Sequence, residues 1–200
     1  MCSSDLGSCP TGMGIATPWG MSHDHLSVVQ TDLDARRPLE LFVLDHVKIQ
    51  AWDRILFVQC GDGWIVEEAW RRAVRAYVCG LDTSGADVAL AKQLREVAGK
   101  VEFATWDGRS LPVSAGAFDR VIAFLAAPPS PPATLVCDLR RVLRRDGDLY
   151  LLHSASTGLE VRQAFARAGW SGVRDVARSE DQTAVLVHAR GGEAEQARSA

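Results

Sequence analysis

The residues with the chemical potential of a binding site begin at Cys60-Gly61-Asp62-Gly63, between the apolar run ILFV and a helical stretch. Gly61 and Gly63 let backbone approach a ligand with no Cβ in the way, and they open onto a helix amino terminus. Glycines also serve ordinary turns, so on its own this pair leaves a plain turn open. Asp82 closes the next apolar run, YVCGLD. A carboxylate at that position can accept hydrogen bonds from both hydroxyls of a ribose, each charge-assisted bond contributing about 1.5–3 kcal/mol. Its competing role is to cap the following helix from Asp-Thr-Ser; Thr83 or Ser84 can cap instead, which favours the ribose. His153, at the carboxyl end of a later apolar run, could take a proton from an attacking oxygen or nitrogen, or could simply bond to backbone at a strand end. His23 and His25 form an HDH cluster, yet no further ligand lies nearby and no cysteine pair has zinc spacing, so no metal site is read.

These residues need a frame, and the chain supplies an alternating one. Ile55–Val58 reads as a strand buried on both faces, and Trp64–Val74 as a helix with Val66, Trp70, Ala73 and Val74 on one side. Tyr77–Gly80 follows as a strand, then Ser84–Val97 as a helix with Val88, Ala91, Leu94 and Val97 at i, i+3 steps. Val101–Ala104 and Phe118–Leu125 are further strands, with a break at Pro128–Pro132. Thr134–Leu143 reads as a helix ended by RRDGD, where Gly147 suits a stop. Leu149–His153 is a strand, and Gly158–Ala168 a helix with Leu159, Phe165 and Ala166 near its buried side. Gly172–Val176 and Thr183–His188, joined by a polar turn at Arg178 to Gln182, read as an antiparallel pair. Leu39–Val47 adds a helix ahead of the first strand. The fold class is therefore α/β: a three-layer, doubly wound, Rossmann-like sheet, mostly parallel, with an antiparallel carboxyl-terminal pair.

One domain over 25–190 is expected, preceded by a loosely packed 1–24 rich in Gly, Ser, Pro and Met and followed by a frayed 191–200. Met1–Leu6, MCSSDL, resembles a translated sequencing-adapter end with a GTG start, which would make it non-native; DNA evidence would settle the point. The 200 residues are 47% hydrophobic and 24% charged, which is ordinary globular composition. A net charge of −3 argues against a broad nucleic-acid surface. No apolar run is long enough to span a bilayer, and the amino terminus lacks the layout of a signal peptide. An odd count of 5 cysteines reads as reduced thiols, so the expected location is cytoplasmic.

Two cofactor classes share a glycine loop followed by a strand-end carboxylate. A dinucleotide site wants a third glycine where this chain has Val66, and Asp62 would put negative charge beside a pyrophosphate. S-adenosylmethionine carries cationic ammonium and sulfonium groups and no phosphate, and an acidic loop suits it better. The segments ILFVQCGDG, YVCGLDTS, VEFATWDGRSLPVSAGAFDRVIAF and LRRVLRRDGDLYLLH, in that order, resemble a compact type-11 (UbiE-like) class I S-adenosylmethionine-dependent methyltransferase. The resemblance spans about Asp53 to His188, and its last two runs are the more specific.

That resemblance implies a cofactor, S-adenosyl-L-methionine, and a set of residues around it. The loop Gln59, Cys60, Gly61, Asp62 and Gly63 would pass the methionine part, Asp82 would hold the ribose, and Thr83 would lie against the adenine. Trp106, Asp107 and Gly108 would surround the adenine edge, although Asp107-Gly108 is also a plain turn dipeptide. Ala123 and Phe124 would line the methyl-transfer side, Phe124 being equally readable as core. His153 is the one candidate general base. The family usually has an acid where this chain has Phe57 and a glycine where it has Gln59. A catalytically degenerate binding or scaffold protein is the rival implied by those two departures. The segment 128–132 lacks the motif of the amino-methylating branch, which disfavours adenine or glutamine side-chain methylation; the expected partner is a small-molecule methyl acceptor, with no nucleic acid. Oligomeric state is not readable.

Overall fold

The computed structural model describes residues 36–125 and 132–191. The sheet and the helices that follow its first strand lie within the unit that begins at Pro38. The readings made for 1–24, including Met1–Leu6 and the His23/His25 cluster, for 128–131 and for the tail beyond 191 lie outside the described residues.

A seven-stranded sheet in the order β3-β2-β1-β4-β5-β7-β6 organises the chain. Its strands are β1 (Arg54–Val58), β2 (Tyr77–Asp82), β3 (Val101–Thr105), β4 (Phe118–Leu125), β5 (Leu143–Ser154), β6 (Arg174–Arg178) and β7 (Ala184–Arg190). β1 to β5 pair in parallel; β7 runs antiparallel to β5 and to β6. The helices are α1 (36–46), α2 (Trp64–Arg72), α3 (Gly85–Arg95), α4 (Ala133–Val142) and α5 (Gly158–Arg167). None among the described residues is long and apolar enough to cross a membrane.

Strand side chains alternate between two cores, because successive Cβ atoms point to opposite faces of a sheet. Ile55, Phe57, Ile122, Phe124, Tyr150 and Leu152 join α1, α2 and α3 on one face. Leu56, Val58, Val121, Ala123, Leu149 and Leu151 meet α4 and α5 on the other. A central strand buried on both sides has no polar position, which is why Ile55–Val58, ILFV, reads as a continuous apolar run. The architecture is the expected doubly wound, three-layer sheet with its antiparallel pair at the carboxyl end.

Local details differ from the sequence reading. Repeated i, i+3 steps fall back about 60° each on a helix of 3.6 residues per turn, so they leave the buried face after two steps. Val88 and Ala91 are buried, whereas Leu94 is 57% exposed. Val74 lies past the end of α2 at Arg72 and is 59% exposed, and Leu159, on the side of α5 away from its buried residues, is 69% exposed. Ala166 is likewise exposed, and α5 buries Val161, Ala164 and Phe165. Gly147 is not a helix stop. Chain leaving α4 enters β5 directly, and Gly147 sits where the β4–β5 register jumps from Phe118↔Leu143 to Arg120↔Asp148. A Cβ at Gly147 would lie 2.9 Å from the Asp119 carbonyl oxygen, so close backbone approach accounts for this glycine.

The amino ends of β1, β4 and β5 are tied by buried charge. Arg120 Nε donates to Asp53 Oδ2 at 2.5 Å, its Nη1 to Asp148 Oδ2 at 2.7 Å, and His188 Nε2 lies 2.8 Å from Asp148 Oδ1. A cavity of about 470 Å³ opens beside this network, at the end of the sheet opposite the glycine loop. Burial alone would raise the Asp148 carboxyl, but the His188 hydrogen bond and the Arg120 charge outweigh it and hold it below its ordinary value. A carboxylate depressed in the folded state stabilises above its unfolded pKa of about 3.9, and that stability is lost as pH falls through the folded value. Asp148→Asn should therefore lower the melting temperature at neutral pH by several degrees, from loss of about 1–3 kcal/mol. Melts recorded down to about pH 2 should show the two proteins converging; a gap that stays constant in acid would contradict this account.

Candidate functional site

The register of the parallel strands brings the sequence-predicted residues to one edge of the sheet. Val58 pairs with Leu81 and with Ala123, Asp82 with Thr105, and Leu125 with His153. Gln59, Asp82, Trp106, Phe124 and His153 thus stand at the carboxyl ends of five neighbouring strands. The sheet order reverses between β1 and β4, and open α/β sheets bind ligands at such a switch point.

Between β1 and α2 the backbone takes positive φ at Gln59 (61°), Gly61 (58°) and Gly63 (76°). Cys60 N donates to the Leu81 carbonyl at 3.1 Å and Gly63 N to the Cys60 carbonyl at 3.2 Å, which folds the loop back on itself. Gly63 caps α2 without a side chain, and its bare Cα faces Phe103 and Ala91. Close helix packing is thereby one reason for this glycine. Cys60 is fully buried, and its Sγ donates to the Gly61 carbonyl at 3.8 Å.

Asp82 is buried at the end of β2 and bridges two elements. Its Oδ2 accepts from Gly61 N at 2.7 Å and its Oδ1 from Ser84 N at 2.9 Å. The helix cap is Ser84, whose Oγ accepts from Asp87 N at 3.2 Å. Asp82 is therefore the strut between the glycine loop and the β2 end, not the cap of α3. A carboxylate has about four lone-pair sites, so two remain for hydroxyl donors.

Gln59, where the family resemblance leads one to expect glycine, takes left-handed backbone with φ 61°. Its Oε1 lies 3.4 Å from both Thr83 N and Thr83 Oγ1, spanning the gap between the β1 and β2 ends. Left-handed backbone costs a non-glycine residue about 1–2 kcal/mol. Gln59→Gly removes that strain but adds freedom to the unfolded chain, a counter-effect of about 0.4–1 kcal/mol. A gain of a few degrees or less in melting temperature is the expected result, and a fall would mean that the Thr83 contacts dominate. Phe57 is fully buried, opposite Gly80 and Ile122, in the core where the family's acid would have ended.

Asp62 does not stand free in the loop. Its Oδ2 is 3.0 Å from Arg95 Nη2, its carbonyl accepts from Arg95 Nε at 3.1 Å, and its Oδ1 accepts from Trp64 N at 3.3 Å. The reading of Asp62 as a counter-charge for a cationic ligand meets an ion pair already formed. Arg95 itself escaped the sequence reading, since nothing in a helix-ending KQLR identifies a partner 33 residues away.

Beyond β3, Trp106 is buried, and its Nε1 has no hydrogen-bond partner among the described residues. Asp107 is exposed and accepts from Arg109 N at 2.9 Å and Ser110 N at 3.1 Å; those backbone bonds hold its carboxyl below the ordinary value. Gly108 has φ 77°, and a Cβ there would come within 3.6 Å of the Thr83 methyl, so the two predicted adenine contacts do adjoin. The Ala123 side chain faces the α4–α5 core and Phe124 the opposite one. His153 is buried, with Nδ1 2.7 Å from the Ser154 carbonyl oxygen, the strand-end backbone bond of the structural reading.

The residues fit a nucleoside-bearing cofactor on two observations: the spare lone pairs of Asp82, and the buried, unpartnered indole N–H of Trp106. The family model described as a methyltransferase domain matches residues 56–151. Among similar solved structures, an S-adenosylmethionine-dependent methyltransferase of Aquifex aeolicus has a TM-score of 0.66 at 16% identity, covering 84% of this chain and 99% of that one. One of Mesorhizobium loti has 0.61 at 18%, covering 78% and 97%. A chain from the Haloferax volcanii complex with the Trm112 methyltransferase activator has 0.64 at 17%, covering 80% and 91%. No curated protein matches by sequence. At these identities the structures share the fold. Residues 56–151 thus match the methyltransferase domain of the class I S-adenosylmethionine-dependent family, whose cofactor is S-adenosylmethionine.

Proposed function

We propose that this protein is an active methyltransferase that methylates a small-molecule acceptor in the cytoplasm. The observation that carries the reading is Asp82: a buried carboxylate at the end of β2, already tied to the glycine loop through Gly61 N, with acceptor capacity left over. In this reading Asp82 holds the ribose hydroxyls, the backbone of Gln59–Gly63 runs along the methionine part, and Thr83 with Trp106–Gly108 surrounds the adenine. S-adenosylmethionine supplies an electrophilic methyl on sulfonium, and transfer needs an acceptor held in line with that bond. The chain's contribution is then positioning and exclusion of water more than proton transfer. In that division of labour His153 is a strand-end support, buried and bonded through Nδ1 to the Ser154 carbonyl.

A catalytically degenerate binding protein is the second reading, favoured by Phe57 in the core and by the Gln59 amide over Thr83. A larger acceptor is a further option, favoured by the likeness to the chain solved with Trm112. Release of S-adenosylhomocysteine, followed by mass spectrometry with S-adenosylmethionine and fractionated cell extract, separates these readings. Turnover with the dialysable fraction supports the proposal. Turnover confined to the retained fraction points to a macromolecular acceptor, and none with either favours the degenerate protein.

A further inference from the structure

By the family resemblance an acid at position 57 would help to organise the glycine loop, yet with Phe57 in its place the loop here is not left loose. Arg95, the last residue of α3, reaches the loop with two donors and the first turn of α2 with a third. Nε donates to the Asp62 carbonyl at 3.1 Å, Nη2 lies 3.0 Å from Asp62 Oδ2, and Nη1 lies 3.3 Å from Glu67 Oε2 in the first turn of α2. The contact is largely shielded from water, with side-chain exposures of 16% for Arg95 and 5% for Asp62. One guanidinium thus fixes both the direction of the Asp62–Gly63 peptide and the start of the helix that follows. Only a planar fork of donors can do this at once; a lysine ammonium is a point charge on a flexible stem.

We propose that Arg95 is a positioning residue for the cofactor loop, holding the Asp62 peptide and carboxylate from α3 in place of the organising acid lost at Phe57. The proposal rests on the reading of Gln59–Gly63 as that loop. Three contacts converge on adjacent loop residues from different elements. Asp82 takes Gly61 N from β2, Arg95 takes Asp62 from α3, and Phe103 packs against Gly63 from β3. The acid that the family places inside β1 has become a pair assembled outside it, which lets position 57 carry a core phenylalanine. Asp62 then serves the loop's shape, and its charge is spent on Arg95.

The test compares wild type with Arg95→Lys and Asp62→Asn. Two readouts are taken: amide hydrogen exchange of residues 60–64 in the protein alone, and calorimetric affinity for S-adenosylhomocysteine. Arg95→Lys keeps a positive charge beside Asp62, so the fold survives and the melting temperature falls by a few degrees at most. The expected result is loop exchange at least tenfold faster, with β5 and β7 amides unchanged, and affinity about tenfold weaker. Asp62→Asn should accelerate the same amides and leave the rest of the sheet alone. Wild-type exchange and affinity in Arg95→Lys would overturn the proposal, as would acceleration spread evenly over the sheet. Failure of the wild-type protein to bind S-adenosylhomocysteine would instead overturn the cofactor reading on which the loop's role rests.

Discussion

Replacing Asp82 by alanine should weaken binding of S-adenosylmethionine and S-adenosylhomocysteine by at least a hundredfold. Two charge-assisted bonds to ribose hydroxyls at about 1.5–3 kcal/mol each would already account for that loss. The substitution also strips Gly61 N and Ser84 N of their shared acceptor. Each buried N–H left unsatisfied costs about 1–3 kcal/mol, so the melting temperature should fall as well. Asp82→Asn separates the two effects. Its single carbonyl oxygen can still serve one of the N–H groups, while its amide cannot replace the second carboxylate oxygen. Affinity should then fall much further than stability. Equal affinity of wild type and Asp82→Ala in a calorimetric titration would show that the ribose is held elsewhere.

The second large effect is expected at Gly63. Alanine there must adopt φ 76° and would place its Cβ 2.5 Å from Phe103 Cε1 and 2.8 Å from Ala91 Cβ. Left-handed backbone contributes about 1–2 kcal/mol and overpacking about 1–3 kcal/mol more, together lowering the melting temperature by roughly 10 °C. Gly99 is the internal control: it has φ 68° with nothing within 4 Å of its missing Cβ, so Gly99→Ala carries the backbone cost alone. Thermal denaturation of both variants, and of Gly63→Ala combined with Phe103→Leu, checks the assignment. Partial recovery in the double variant is expected. Similar losses at Gly63 and Gly99 would mean that the Phe103 contact adds nothing.

What could be read from the residues in order follows from how local each feature is. The β1 run and the alternation of strands with helices report burial on both faces, and the doubly wound sheet they imply is the one observed. The antiparallel β6–β7 pair was legible from its polar turn. Gly61 and Gly63 were legible as special backbone because no other residue accepts those angles cheaply. The role of Asp82 was only half legible: its strand-end position can be counted out from the sequence, but its bond to Gly61 N joins residues 21 positions apart. Arg95 was invisible for the same reason, and with it the meaning of Asp62. Gly147 was misread because a glycine after a helix ordinarily ends it, whereas here the chain runs on into β5 and the glycine serves a close approach to Asp119. Leu94 and Leu159 show the limit of apolar spacing as a guide, since both carry an apolar side chain to the surface.

Phe57 and Gln59 bear most directly on whether this member of the family still works. One is sealed in the core beneath the loop, and the other carries its amide across the β1–β2 gap to Thr83. Neither breaks the loop's backbone, which keeps positive φ at residues 59, 61 and 63 and stays tied to Asp82 and Arg95. A rewired site that still holds a nucleoside is the expected outcome. Calorimetric titration of the wild-type protein with S-adenosylmethionine and S-adenosylhomocysteine tests this most directly. Micromolar binding of both, lost in Asp82→Ala, is the predicted result. No heat and no thermal shift at millimolar cofactor would contradict it, and would mean that the changes at Phe57 and Gln59 have emptied the site.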